Sequence, residues 1–195
     1  MILQPSATAD APARLLHAAT DLTSFMECEA LTALNLRALT DPDLAAQKVA
    51  LDDSTQLITD KGVEHEKAYL QRLISQGLTV VDIAAVAGPA LPDRVQATQQ
   101  AMAQGAQVIY QAALTGDDLV GHADFLVRVD TPSALGGWSY EVEDTKLARS
   151  AKGKFLVQLS FYSHLLEPLQ GLAPRRYCFA CYSWRQSHRR RSHPR

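Results

Sequence analysis

The chain predicts an α+β fold, a mixed central sheet flanked by helices, and three observations point there. Apolar positions at helical spacing fill much of the first half, three β-type runs follow in series, and a helix and one more β-type run come last. With 195 residues, 47% of them hydrophobic, the chain is long enough to bury a core as one domain.

In order along the chain, "TDLTSFMECEALTALNLRAL" predicts a helix from about Leu22 to Leu39, with Thr20 or Asp21 available to cap it and Asp41-Pro42 ending it. "DKGVEHEKAYLQRLIS" predicts a second helix over 60–75, stopped near Gly77, and "LTVVDIAAV" reads as a strand. "AGPALPD" is a loop by composition, and "DRVQATQQAMAQ" is a short helix ended by Gly105. The runs "QVIYQAAL", "LVGHADFLVRV" and "WSYEVEDTK", separated by the turn-rich "TGDD" and "DTPSALGG", read as an antiparallel meander. "KFLVQLSFYSHLLEPL" is the last helix, and "RRYCFACYSW" has the residues of one more strand.

Charge divides the chain in two. Residues 175–195 hold seven arginines and no acid, which leaves 12 basic against 21 acidic groups, a net of −9, in residues 1–174. Binding to nucleic acid would therefore rest on a local basic path or on metal ions rather than on bulk field. No stretch has the roughly 18 apolar residues that a membrane span needs, the start lacks the layout of a secretory signal, and the expected compartment is the cytoplasm. Three cysteines, Cys28, Cys178 and Cys181, are too few for a disulfide scaffold. The absence of GxGxxG and Walker signatures argues against nucleotide-cofactor enzymes and ATPases.

The chemistry-bearing residues cluster on the β-type runs. In "SYEVEDTK" a pleated strand sends Tyr140, Val142, Asp144 and Lys146 to one face and Glu141, Glu143 and Thr145 to the other, so an acid and a lysine share the more apolar side. Asp124 sits among Ala123, Phe125 and Leu126 on the preceding run, where a carboxylate needs a reason to be. Paired carboxylates suit a hard divalent cation, and Lys146 could then steady an anionic transition state. The same D-x-K also fits a surface hairpin with an ordinary cross-strand ion pair. On the 60–75 helix, Val63, Leu70, Leu73 and Ile74 form one arc, with Glu66 inside it and His65 at its edge; they are a candidate metal ligand pair or solvated and ion-paired helix residues. Gln158 and Tyr162 lie four apart on the face of Phe155, Leu159 and Leu166, placed to bind a phosphate or to cap a packed core.

The ordered set "GVEHE", "GHADF", "EVEDTK" and "QLSFY" resembles the RecB-like branch of the PD-(D/E)XK nucleases over residues 62–162, about half of the chain. "FMECEALTALNL" also resembles the leader of a group of usually longer RecB-like proteins. The resemblance implies a restriction-endonuclease-like core in residues 1–174, and DNA phosphodiester hydrolysis of the exonuclease type in repair or recombination. It further implies Mg²⁺ or Mn²⁺ as cofactor, His65, Asp124 and Asp144 as metal ligands, Lys146 as catalytic lysine, and Gln158, Tyr162 and Glu66 as accessory residues. DNA is the implied partner, with downstream domains or a helicase as further ones. Members that hold an iron-sulfur cluster use four cysteines, so with three here no cluster is expected. Residues 175–195 read as a last strand and a basic tail, either a nucleic-acid-binding arm or the truncated end of a longer protein. A non-catalytic, nucleic-acid-binding remnant is the alternative reading of the whole.

Overall fold

The computed structural model describes residues 1–4, 13–50, 52–147 and 152–181. It is a mixed α+β fold whose seven-stranded sheet carries both parallel and antiparallel pairs and is flanked by helices. The elements are β1 (Ile2–Gln4), β2 (Arg14–Ala18), α1 (Ala19–Glu27), α2 (Glu29–Arg37), α3 (Pro42–Ala46), α4 (Asp53–Ser75), β3 (Val80–Asp82), α5 (Ile83–Val86), α6 (Leu91–Ala103), β4 (Val108–Gly116), β5 (Leu119–Val129), β6 (Ser139–Lys146), α7 (Gly153–Gln170) and β7 (Tyr177–Cys181).

The meander is present: β4 pairs antiparallel with β5, and β5 with β6. Parallel partners extend it, β3 beside β4 and β7 beside β6. One long edge of β5 is taken by β4. The other is shared, with β2 parallel to it at Leu119 and Val120 and β6 antiparallel to it from Phe125 to Val129. Residues 121 to 124 lie between those two partners.

Several boundaries differ from the sequence reading. The expected helix over 22–39 starts at Ala19 and is broken at Cys28, whose extended backbone (φ −164°, ψ 113°) separates α1 from α2. Asp21 reaches back to the amide of Ala18 (2.7 Å) and to the amine of Met1 (2.6 Å), which ties the start of α1 to β1. Helix α4 begins about two turns before residue 60, because the Asp52 carboxylate caps it by accepting the Thr55 amide at 2.7 Å. The strand in "LTVVDIAAV" stops at Asp82, which caps α5 by accepting the Ala84 amide. The end of "AGPALPD" belongs to α6, with Pro92 in its first turn, where a missing amide costs nothing.

Two apolar layers sandwich the sheet. Tyr69 and Leu73 of α4 pack with Val108 and Phe125 on one face; Met102 of α6 and Leu159, Tyr162, Leu165 and Leu166 of α7 pack with Ile109, Leu126, Tyr140 and Val142 on the other. The inward stripe of α4 is thus Glu66, Tyr69, Leu70 and Leu73, while Val63 and Ile74, expected on it, are 44% and 46% exposed. Helix α7 sits unusually close to β5 at Gly121. A Cβ there would stand 2.9 Å from both Leu165 Cδ1 and Tyr162 Cδ1. Gly121→Ala is accordingly expected to destabilise the fold by about 1–3 kcal/mol through overpacking, read as a lower urea midpoint; an unchanged midpoint would mean that α7 is not seated on β5 at this point.

Candidate active site

Strands β5 and β6 part company at the site. Their ladder ends at Phe125↔Glu143, and beyond it the Asp124 carboxylate takes the place of a backbone acceptor: its Oδ2 receives the Thr145 amide at 3.2 Å and the Thr145 hydroxyl at 3.4 Å. An antiparallel pair held by a side chain in this way opens a gap at its end, and Asp144 of β6 turns into it beside Asp124. Tyr140, Val142 and Asp144 are all buried on the α7 side, while Glu143 points to α4 and accepts the Tyr69 hydroxyl at 2.5 Å.

The electrostatics of the pair are those of two acids short of counter-charge. Asp144 is 1% exposed, and Lys146 Nζ, 2.8 Å from its Oδ2, is its cation. No amide or hydroxyl among the described residues donates to either Asp144 oxygen; the Lys146 ammonium and the neighbouring Asp124 carboxyl are what it meets. Burial first, and the neighbouring Asp144 carboxyl second, push Asp124 up to about 8, against the opposing pull of the Thr145 amide and Lys146. Asp124 therefore carries a proton at neutral pH, which relieves the repulsion between the pair. Lys146 also lies 5.7 Å from the centre of the Phe155 ring, which steadies its ammonium.

These groups open onto a cleft of about 490 Å³. Its lining includes the polar Glu66, Asp124, Thr145, Lys146 and Lys152 and the apolar Ile58, Val63, Leu147 and Phe155. Tyr162 stands on the α7 side, where burial first, and then the charges of Asp144 and Asp124, raise its hydroxyl to about 12; Gln158 Nε2 donates to that hydroxyl at 3.0 Å. The structure thus brings Asp124, Asp144 and Lys146 together, puts Glu66 on the lining of the adjoining cleft, and sets Tyr162, bonded to Gln158, near the acids. His65 is half-buried on α4 and does not line the cleft, and among the described residues no three histidine, cysteine or acidic side chains are clustered to hold an ion. The buried acid pair, to which one lysine supplies the counter-charge and no amide or hydroxyl donates at Asp144, nonetheless has the oxygen donors a hard divalent cation needs.

Three participants were not singled out in the sequence. Gly121 admits Tyr162 to the site, Thr145 supplies the amide that holds Asp124, and Tyr69 secures β6 through Glu143. Only Gly121 had a signal, its place in "GHADF". Cys28 is exposed and Cys178 half-buried; residues 182–195, with the basic tail, lie outside the described residues. No helix among the described residues is long and apolar enough to cross a membrane. Comparisons with protein-family models, with curated proteins and with solved structures find no match to this chain.

The raised Asp124 has a consequence for stability. A carboxyl whose folded value exceeds its ordinary 3.8 favours the folded state fully below that value, and the benefit is lost as pH climbs through about 8. Metal-free protein is expected to lose melting temperature over that window, and Asp124→Asn to remove that part of the loss and melt higher near pH 8. Superimposable melting profiles of the two proteins would show that Asp124 is not held protonated by its surroundings.

Proposed function

We propose that the protein is a metal-dependent nuclease that hydrolyses DNA phosphodiester bonds, with the restriction-endonuclease-like site that the ordered motifs imply, and that it works in the cytoplasm. The observation that carries the reading is the convergence of Asp124, Asp144 and Lys146 at the end of the β5–β6 ladder, two acids with one lysine as counter-charge and Asp144 buried.

Asp124 and Asp144 would hold the cation. Mg²⁺ or Mn²⁺ bound there supplies Lewis acidity toward a phosphate oxygen and a water of lowered pKa. The chain's own residues do the rest. Asp124, already held by the Thr145 amide, keeps its orientation as it gives up its proton. Lys146, a cation on the wall of the cleft, neutralises charge that develops on phosphate oxygens. Tyr162 keeps its proton at neutral pH and, braced by Gln158, remains a donor beside the acids.

Incubated with Mg²⁺ or Mn²⁺, the protein is expected to degrade linear DNA. Lys146→Ala and Asp124→Ala should each lower the rate by at least about a hundredfold, the scale on which lost charge stabilisation acts, with the fold retained by circular dichroism. Cleavage that persists at the wild-type rate in both variants would place the activity elsewhere. A protein that leaves DNA intact and yet binds it would instead favour a non-catalytic remnant.

A further inference from the structure

The stretch "FMECEALTALNL" folds into parts of α1 and α2 and lies outside the lining of the cleft. Between residues 22 and 36, six large apolar side chains (Leu22, Phe25, Met26, Leu31, Leu34 and Leu36) are 42% or more exposed. A surface helix that serves only its own domain turns such residues inward. Helix α2 departs furthest from that rule. Seated on α1, it buries none of its nine residues, although a helix of that length depends on a packed face for its stability.

The pattern on its outer side is specific. Half-buried Thr32 and Asn35 mark the inner side, and outward stands a ridge of exposed residues four apart, Glu29, Ala33 and Arg37, flanked by Ala30 and Leu34 on one side and Leu36 on the other. The ridge is acidic at one end, basic at the other and small in the middle. Among the described residues neither Glu29 nor Arg37 forms an ion pair. Eight residues separate them, roughly 12 Å along the helix, so they do not meet each other.

A second α2 laid across the first in the opposite direction supplies both missing partners. Glu29 and Arg37 are each four residues from Ala33, so a two-fold axis at Ala33 brings Glu29 beside the partner's Arg37 and, by the same operation, Arg37 beside the partner's Glu29. At the crossing of about −50° that ridges of this spacing favour, the two ridges run side by side, and alanine at the axis lets the helices approach closely. A parallel pair would set acid against acid and base against base. The surface that matches this ridge end for end is the ridge itself.

We propose that the outer face of α2 is a homodimer interface, an antiparallel α2–α2 pair centred on Ala33, closed at each end by Glu29 and the partner's Arg37 and flanked by Leu34 and Leu36. The proposal does not depend on the nuclease reading. Two short helices cover less than the roughly 1,200 Å² at which standard interfaces begin, so the dimer is a weak one.

Sedimentation velocity of the whole chain, from micromolar to near-millimolar concentration, tests it. Wild type should pass from monomer to dimer over that series. Glu29→Arg and Arg37→Glu should each weaken self-association by at least about tenfold, because each sets like charges together at both ends. Mixed in equal amounts, the two variants should recover a one-to-one dimer of wild-type affinity, since a ridge with two basic ends then meets one with two acidic ends; leucines that were merely adhesive would give no such recovery. Ala33→Cys in a Cys28→Ser background should oxidise to a disulfide-linked dimer, because the two-fold axis sets that position against itself. Wild type that stays monomeric throughout, single variants that dimerise as wild type does, a mixture that recovers nothing although each variant keeps its helix content by circular dichroism, or absence of the Ala33→Cys cross-link would each overturn the proposal.

Discussion

Everything at the site depends on one substitution of a side chain for a backbone group: the Asp124 carboxylate accepts the Thr145 amide where the β5–β6 ladder has ended. Past that point β6 keeps only its parallel partner β7, at Asp144↔Phe179 and Lys146↔Cys181. Because Asp124 closes the ladder sideways, the two strands are tied together and yet diverge, and the Asp144 carboxylate is drawn inside with Lys146 as its counter-ion. Burying two acids beside one lysine is costly. The protein bears that cost with a proton on Asp124 in the metal-free state, and the same imbalance is what the proposed cation would relieve.

The fold around this point works to keep it fixed. Tyr69 of α4 holds β6 through Glu143, and its ring meets Phe125 of β5 edge-on at 5.1 Å, so one aromatic residue braces both strands next to the gap. On the other face Gly121 lets α7 approach closely enough for Tyr162 to reach the acids. Buried Gln170 anchors the far end of α7 by accepting the Tyr140 amide at 2.8 Å and donating to the Tyr140 carbonyl at 3.2 Å. The two helices that carry accessory polar groups, α4 and α7, are thus fastened to the same two strands that carry the acids.

Much of this was legible because it is periodic. Alternation along β6 separated Asp144 and Lys146 from Glu143, and the turn-rich connections set out the antiparallel strands. Parallel pairing leaves no comparable trace, so the neighbours β2, β3 and β7 do not follow from residues alone, and β1 and β2 are too short to show a pattern. The break of the first helix at Cys28 carries neither proline nor glycine. Gln111 is the deepest omission. A glycine or asparagine there would have announced a left-handed residue, but a glutamine in "QVIYQAAL" reads as ordinary strand, and its conformation comes from tertiary partners, Glu66 and Arg94. A helical wheel gives direction but not reach, and His65 stands outside the lining of the cleft.

The central claim is that the Asp124–Asp144 pair is a cation site rather than an ion pair frozen in a core. The most direct measurement is a crystal grown with Mn²⁺ and examined by anomalous scattering. The account predicts a manganese peak between the carboxylates of Asp124 and Asp144, with the Lys146 ammonium turned away from Asp144 into the cleft. A map with no peak there and Lys146 still bonded to Asp144, at Mn²⁺ well above millimolar levels, would contradict it.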